Sequence, residues 1–134
     1  MIYYSHSKQI YNTPRESEEL NAIQKFFGRH VKIVDPARYQ NSDMPFYLSL
    51  MDSCDKLVIS EFKGYLGKGC YLELNRALLD YKYKIYLLRK TKCFGYRFYQ
   101  VRDIYISDPY NWVLYAKLTR GQRYVTPQKL KGGL

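Results

Sequence analysis

Residues 1–88 alternate between short apolar runs and segments of helical character, and this alternation constrains the fold more than any other feature. The apolar runs lie at 2–4, 31–34, 56–60 and 84–88. Their content of β-branched, aromatic and leucine residues is typical of strands. Since parallel strands are joined by crossover helices, this order predicts an α/β fold with a doubly wound parallel sheet and helices on both faces.

The first of the three predicted helices has the clearest boundaries. Thr13 suits the N-cap, Pro14 suits the first helical position, and Gly28 ends the helix. Its apolar residues recur with helical spacing and form one stripe: Leu20, Ile23, Phe26 and Phe27. Its first turns hold three glutamates, which the positive end of the helix dipole favours: Glu16, Glu18 and Glu19. A second helix is predicted from Pro45 and a third from Cys70 to about Tyr81.

Beyond Arg89 the patterning is weaker. The segment 96–106 predicts one or two further strands, and 109–118 predicts a helix. The remaining residues, 119–134, are polar and basic, so we expect a flexible C-terminal tail. With 134 residues in all, the sequence predicts one α/β domain over 1–118 followed by that tail.

The charge is concentrated in the last third of the chain. The formal net charge is +10, and from Asp80 onward there are 12 basic and 3 acidic residues, interleaved with many of the 16 tyrosines. Arginine and tyrosine together neutralise phosphates and stack on bases, which makes nucleic acid a candidate partner. A solvated basic face over tyrosines packed in the core explains the same composition, as does a basic rim around a site for small anions.

The sequence favours a soluble, intracellular, cytoplasmic protein with no membrane partner. No apolar run approaches the roughly 20 residues that span a bilayer. Three widely spaced cysteines and two histidines do not supply four clustered zinc ligands, so we expect no metal and no cofactor. High tyrosine with few asparagines, glutamines and cysteines favours a thermophilic source.

The candidate binding residues follow the predicted strands, because doubly wound sheets bind ligands beyond the carboxyl ends of their strands. The segments at those ends begin at Ser5-His6, Asp35-Pro36 and Ser60-Glu61. After the third strand comes a glycine-rich loop whose backbone N–H groups are suited to a phosphate, assisted by Lys68. Its glycines are Gly64, Gly67 and Gly69. The loop does not match the P-loop pattern, because Gly69 follows Lys68 where a hydroxyl residue is required.

Glu73 is the strongest catalytic candidate. It is predicted in the first turn of the helix after the glycine loop, on the side facing the strand ends. A carboxylate there can act as a nucleophile or base, or hold a ribose diol. A first-turn glutamate that only stabilises the helix dipole is the alternative.

Three stretches resemble the nucleoside 2-deoxyribosyltransferase family. They are 54–60, the pattern Gly69-x-x-x-Glu73-x-x-x-Ala77, and 84–87; the opening Tyr3-Tyr4-Ser5-His6 and Asp35-Pro36 are also similar to that family. The stretch Cys70-x-x-Glu73-Leu74 is similar to TIR domains, whose catalytic members cleave NAD. The resemblance implies a Rossmann/flavodoxin-like sheet and a homo-oligomer. It also implies N-glycosidic cleavage or deoxyribosyl transfer, in which Glu73 attacks the anomeric carbon of a nucleoside, a nucleotide or NAD.

The resemblance also implies roles for other residues. Ser5 and His6 lie in the expected substrate loop, Asp35 ends the second strand, and Tyr4 and Tyr11 are expected to stack on the base. The glycine loop with Lys68 would hold a 5′-phosphate. Gly67 stands where the family usually has aspartate or serine, and the second carboxylate has no direct match, so Glu61 is the candidate for it. A non-catalytic nucleotide- or nucleic-acid-binding protein on the same fold is the alternative function.

Overall fold

The computed structural model describes residues 1–39, 42–62, 66, 68–80, 82–93, 95–108, 113–118 and 124–129, with the backbone alone at Lys68, at Tyr71 and from residue 101 onward. Three α-helices form within these residues: α1 (Pro14–Phe27), α2 (Met44–Asp52) and α3 (Lys68–Leu78). The strands of the described residues are β1 (Ile2–Ser5), β2 (Ile33–Val34), β3 (Lys56–Ser60), β4 (Lys84–Thr91), β5 (Gly95–Asp108), β6 (Val113–Leu118) and β7 (Tyr124–Lys129).

The strands lie in the order β2-β1-β3-β4-β5-β6-β7. The pairs among β2, β1, β3 and β4 are parallel, and β5, β6 and β7 are added antiparallel. The predicted α/β class is therefore confirmed, but the sheet predicted to be parallel is parallel only over β2, β1, β3 and β4 and continues antiparallel from β5 onward. After β1 the chain first places β2 on one side of it and later β3 on the other, so the direction of winding reverses between β1 and β3.

Alternate residues of the central strands pack on opposite faces of the sheet. On one face, Tyr3, Leu57 and Ile59 pack with the buried side chains of α2 and α3. On the other face, Ile2, Tyr4 and Val58 pack with α1, chiefly through Ile23, and with Phe98 of β5. Each fully buried large aliphatic side chain contributes roughly 1.5–3 kcal/mol to stability, so the two faces together hold the helices on the sheet.

The ends of α1 agree with the sequence, apart from the cap. Pro14 occupies its first turn, and Gly28 ends it with a φ of 117°, a left-handed conformation that favours glycine. Thr13 is at the N-cap position, but its side chain makes no capping hydrogen bond. Its hydroxyl instead donates to the carbonyl oxygen of Ile10 at 2.6 Å, because the turn before the helix brings that oxygen closer.

Two predictions about secondary structure need correction. The helix expected over 109–118 is wrong for 113–118, which form β6, and 109–112 lie outside the described residues. Backbone pairing with β5 on one side and β7 on the other favours the strand over the local preference. The third helix begins at Lys68 and ends at Leu78, where 70–81 was expected. β7 lies within 119–134, the segment expected to be a flexible tail. The predicted end of the domain at residue 118 stays a prediction.

In the described part of the chain, no helix is long and apolar enough to cross a membrane.

Candidate functional site

The buried polar side chains of the described residues collect at one edge of the sheet. β1, β2 and β3 are parallel, so their carboxyl ends meet there, and α1 and α3 bring further side chains to the same edge. The buried polar and charged residues are Ser5, His6, Glu16, Glu19, Asp35, Ser60 and Glu73. Buried polar groups need partners or a function, so this edge is the candidate site.

Glu73 lies in the second turn of α3, because the helix begins at Lys68 rather than at Cys70. The position predicted for it, in the first turn, is therefore wrong, and the dipole-stabilising role loses its basis. The Ser5 hydroxyl donates to Glu73 Oε1 at 2.8 Å, across the sheet edge from β1. Glu73 is 5% exposed, and burial raises its pKa from 4.5 to about 7, against the smaller opposing effects of Tyr3 and Ser5.

Tyr3 brings a second hydroxyl close enough to Glu73 for the two groups to interact electrostatically. The Tyr3 ring is fully buried, and its oxygen lies outside hydrogen-bond geometry with every residue that the structure describes. Burial, followed by the charge of Glu73, raises the pKa of Tyr3. Tyr3 therefore stays a neutral phenol whose O–H dipole can turn toward the carboxylate.

His6 is held between two carboxylates. Its Nε2 lies 2.7 Å from Glu16 Oε2 and 3.6 Å from Asp35 Oδ1. Its Nδ1 lies 3.0 Å from the carbonyl oxygen of Tyr4, and the Tyr4 ring stacks on the imidazole with the ring centroids 3.8 Å apart. Burial, more than any other influence, raises the pKa of Asp35. The imidazole is thus fixed in position and orientation.

Glu19 forms a separate buried network one helical turn after Glu16. The hydroxyls of Tyr4 and Ser60 both donate to its carboxylate, the latter at 2.8 Å. Arg15 Nε donates to the same carboxylate at 2.7 Å. With three donors, one of them the Arg15 guanidinium, the Glu19 carboxylate is compensated within the protein.

Glu61, the candidate second carboxylate, lies just after β3. Arg89 Nε on β4 donates to its Oε1 at 3.2 Å, and Arg15 Nη2 donates to its backbone carbonyl oxygen at 3.4 Å. Its carboxylate is therefore engaged with a cation, and its catalytic role stays a prediction.

Tyr11 connects the Glu73 side of the site with the His6 side. Its ring centroid lies 4.7 Å from that of His6. Burial raises the pKa of Tyr11, and the charges of Glu73 and, to a smaller extent, Asp35 act in the same direction. Tyr4, also expected to stack on a base, is fully buried with its ring against His6. Tyr11, which is half-buried, is the ring available to a ligand.

The predicted phosphate loop is described only at its end. Gly64 and Gly67 lie outside the described residues, as does the side chain of Lys68. Gly69 is exposed in the first turn of α3, with open space where a Cβ would point. The role of this loop stays a prediction.

The sequence did not reveal the buried roles of Glu16 and Glu19, which were interpreted as partners of the helix dipole. Glu18, between them, is exposed and contacts Lys90. The available signal was spacing: Glu16, Glu19 and Ile23 recur at intervals of three and four, so they share the face of α1 that packs on the sheet.

A scan against protein-family models, a search of curated proteins and a search of solved structures each found no match.

Proposed function

We propose that this protein cleaves the N-glycosidic bond of a nucleoside, a nucleotide or NAD, or transfers the deoxyribosyl group to another base, with Glu73 as the nucleophile. The observation that carries the proposal is the buried Glu73 carboxyl group at the carboxyl ends of the strands, positioned by Ser5 and ionising near neutral pH. A carboxyl group with a pKa of about 7 is unusual, and such groups cluster at functional sites.

The fold supports the same location. The order β2-β1-β3-β4 agrees with the first four strands of flavodoxin-like doubly wound sheets, in which ligands bind where the winding direction reverses. We propose this finer Rossmann/flavodoxin-like assignment for the chain. Here the reversal lies between β1 and β3, and Ser5 and Ser60 are the last residues of those strands.

The proposed chemistry needs the ionised form of Glu73. Ser5 holds Oε1, so Oε2 is the oxygen that attacks the anomeric carbon. The C–N bond breaks, the base leaves with the electron pair, and a glycosyl ester forms on Glu73. The base of a nucleoside or nucleotide takes a proton as it leaves, whereas the cationic nicotinamide of NAD leaves as a neutral molecule. Water, or a second base, then attacks the anomeric carbon, breaks the ester and releases the carboxylate. Tyr11 would stack on the departing base.

The test is base release by wild type and by Glu73→Gln, with Glu18→Gln as the matched control because Glu18 is exposed on α1 outside the site. All three proteins are incubated with deoxynucleosides, nucleoside monophosphates and NAD, with and without an acceptor base, and free base is measured by chromatography. We expect Glu73→Gln to lose roughly a thousandfold or more in kcat/KM and Glu18→Gln to retain it.

The pH dependence distinguishes a nucleophile from a general acid. A nucleophilic Glu73 must be ionised, so kcat/KM should rise with pH through about 7. A profile that falls through the same pH would assign Glu73 the role of a general acid. Nucleotide binding without release of any base, in folded wild-type protein, would contradict the catalytic proposal and support the binding protein on the same fold.

A further inference from the structure

His6, Glu16 and Asp35 form a compact cluster in which every member is buried. Each offers one ligand atom, and these three atoms lie within 4.8 Å of one another. Two of the separations are 2.7 Å, between His6 Nε2 and Glu16 Oε2, and 3.6 Å, between His6 Nε2 and Asp35 Oδ1. Ligands about 2.1 Å from a common ion lie roughly 3 Å from each other, so little movement would bring these atoms around one ion.

The orientation of His6 is that of a metal-ligating histidine. Because the Tyr4 carbonyl oxygen can only accept, His6 Nδ1 carries the hydrogen of the bond between them. This leaves Nε2 directed at the two carboxylates. Histidine ligands usually donate their second ring N–H to a carbonyl or carboxylate in this way, which fixes both tautomer and ring plane.

The buried charges among the described residues favour a bound cation near the cluster, because carboxylates outnumber cationic side chains. Four glutamate and aspartate side chains are buried among the described residues, whereas no lysine or arginine there is buried to the same degree. Arg15 and two hydroxyls satisfy Glu19. Asp35 is less well satisfied, because its Oδ2 is buried and accepts no hydrogen bond from a described residue. Arg38, largely exposed, approaches that oxygen only to 3.8 Å.

We propose that His6 Nε2, Glu16 and Asp35 bind a divalent first-row transition-metal ion, with Mn²⁺ and Zn²⁺ the best fits to one imidazole and two carboxylates. Two carboxylates and a neutral imidazole balance the charge of such an ion. The metal would take the place of the direct contact between His6 Nε2 and Glu16 Oε2, and the remaining coordination positions are available to water or to a substrate oxygen. Tyr11 packs against His6 and also lies within electrostatic reach of Glu73, so this metal would lie on the same side of the sheet edge as Glu73.

Metal binding is measured on the full chain, stripped with a chelator and dialysed. Mn²⁺ is titrated and followed by loss of the electron paramagnetic resonance signal of the free ion, and Zn²⁺ by calorimetry. The variants are Glu16→Gln and Asp35→Asn, each checked for folding by circular dichroism, with Glu18→Gln as the control on the same helix. We expect one equivalent of metal in wild type and in the control. Mutation of a residue that only hydrogen-bonds to a metal ligand typically lowers the affinity for the metal by roughly 10–100-fold. Loss of either carboxylate ligand should therefore lower the affinity by at least that factor.

A Co²⁺ spectrum of wild type tests the ligands without any variant. Nitrogen and oxygen ligands give only weak visible bands, whereas a strong thiolate charge-transfer band would assign the metal to a cysteine such as the exposed Cys93. That band would overturn the proposal, as would no binding at millimolar metal or equal affinity in all variants. Binding is measured without substrate, so a failure of the proposed glycosidic activity leaves this result independent.

Discussion

Replacing Glu73 with glutamine should change how folding stability depends on pH. Burial raises the pKa of Glu73 from 4.5 to about 7 in the folded protein. Between these pH values the folded protein keeps the proton while the unfolded chain has released it. The unfolded state therefore binds fewer protons, and the contribution of Glu73 to the free energy of unfolding falls as the pH rises. The loss begins near pH 4.5 and is complete above about pH 7.

The size of the effect follows from the two pKa values. Each pH unit corresponds to about 1.4 kcal/mol, so the interval from 4.5 to about 7 corresponds to about 3 kcal/mol. Glutamine fills nearly the same volume and does not titrate. Relative to wild type, the Glu73→Gln variant should therefore become more stable by about 3 kcal/mol as the pH rises from about 4.5 to 8. Taking this difference between two proteins removes the contribution of all other titrating groups.

Urea unfolding followed by circular dichroism, at several pH values between about 5 and 8, measures that difference. Glu18→Gln is the control, because the Tyr96 hydroxyl and then Lys90 lower the pKa of Glu18, so its contribution has the opposite sign. A difference between Glu73→Gln and wild type that stays constant over this range would show that Glu73 titrates alike in the folded and unfolded states. Such a result would refute a Glu73 carboxyl group that burial keeps protonated in the folded protein.

Three further predictions concern stability and reactivity. Glu19→Gln leaves Arg15 and two buried hydroxyls short of an acceptor, so the free energy of unfolding should fall by about 2 kcal/mol or more and the Tm by about 8 °C; an unchanged Tm would contradict the buried network. Gly28→Ala places a Cβ at a φ of 117°, and should lower stability in urea unfolding by at least about 1 kcal/mol, with Gly69→Ala, in the open first turn of α3, as the control. Cys93 is exposed and should react with a thiol reagent in the folded protein, whereas the two buried cysteines should react only after denaturation; three fast thiols would refute their burial.

The sequence predicted the parallel half of the sheet because each element there carries its own signal. Pro14 and Gly28 mark the ends of α1, and the run Lys56–Ser60 is apolar enough for a strand buried on both faces. The strand over 113–118 was missed because its pairing with β5 and β7 cannot be recognised from the sequence of the segment itself.

The candidate site was predicted only in part, for a related reason. The rule on strand ends selected Ser5, His6 and Asp35, and the structure places all three at the same buried edge. It could not select Glu16, because a glutamate in the first turn of a helix is adequately explained by the dipole. What distinguishes Glu16 is its contact with His6, which depends on how α1 packs against β1.

The sequence separation of the contacts in this site sets an order in which a newly made chain can assemble it. Glu16 and Glu19 follow their partners His6 and Tyr4 by 10 and 15 residues, whereas Ser5 and Glu73 are 68 residues apart. Closing the longer loop costs about 2 kcal/mol more chain entropy than closing the 10-residue one. On a ribosome, His6 and Glu16 can meet soon after α1 has been synthesised. Glu73 can reach Ser5 only after β3 and α3 have emerged. A chain released before α3 therefore lacks the proposed nucleophile, although the ligands of the proposed metal are already present.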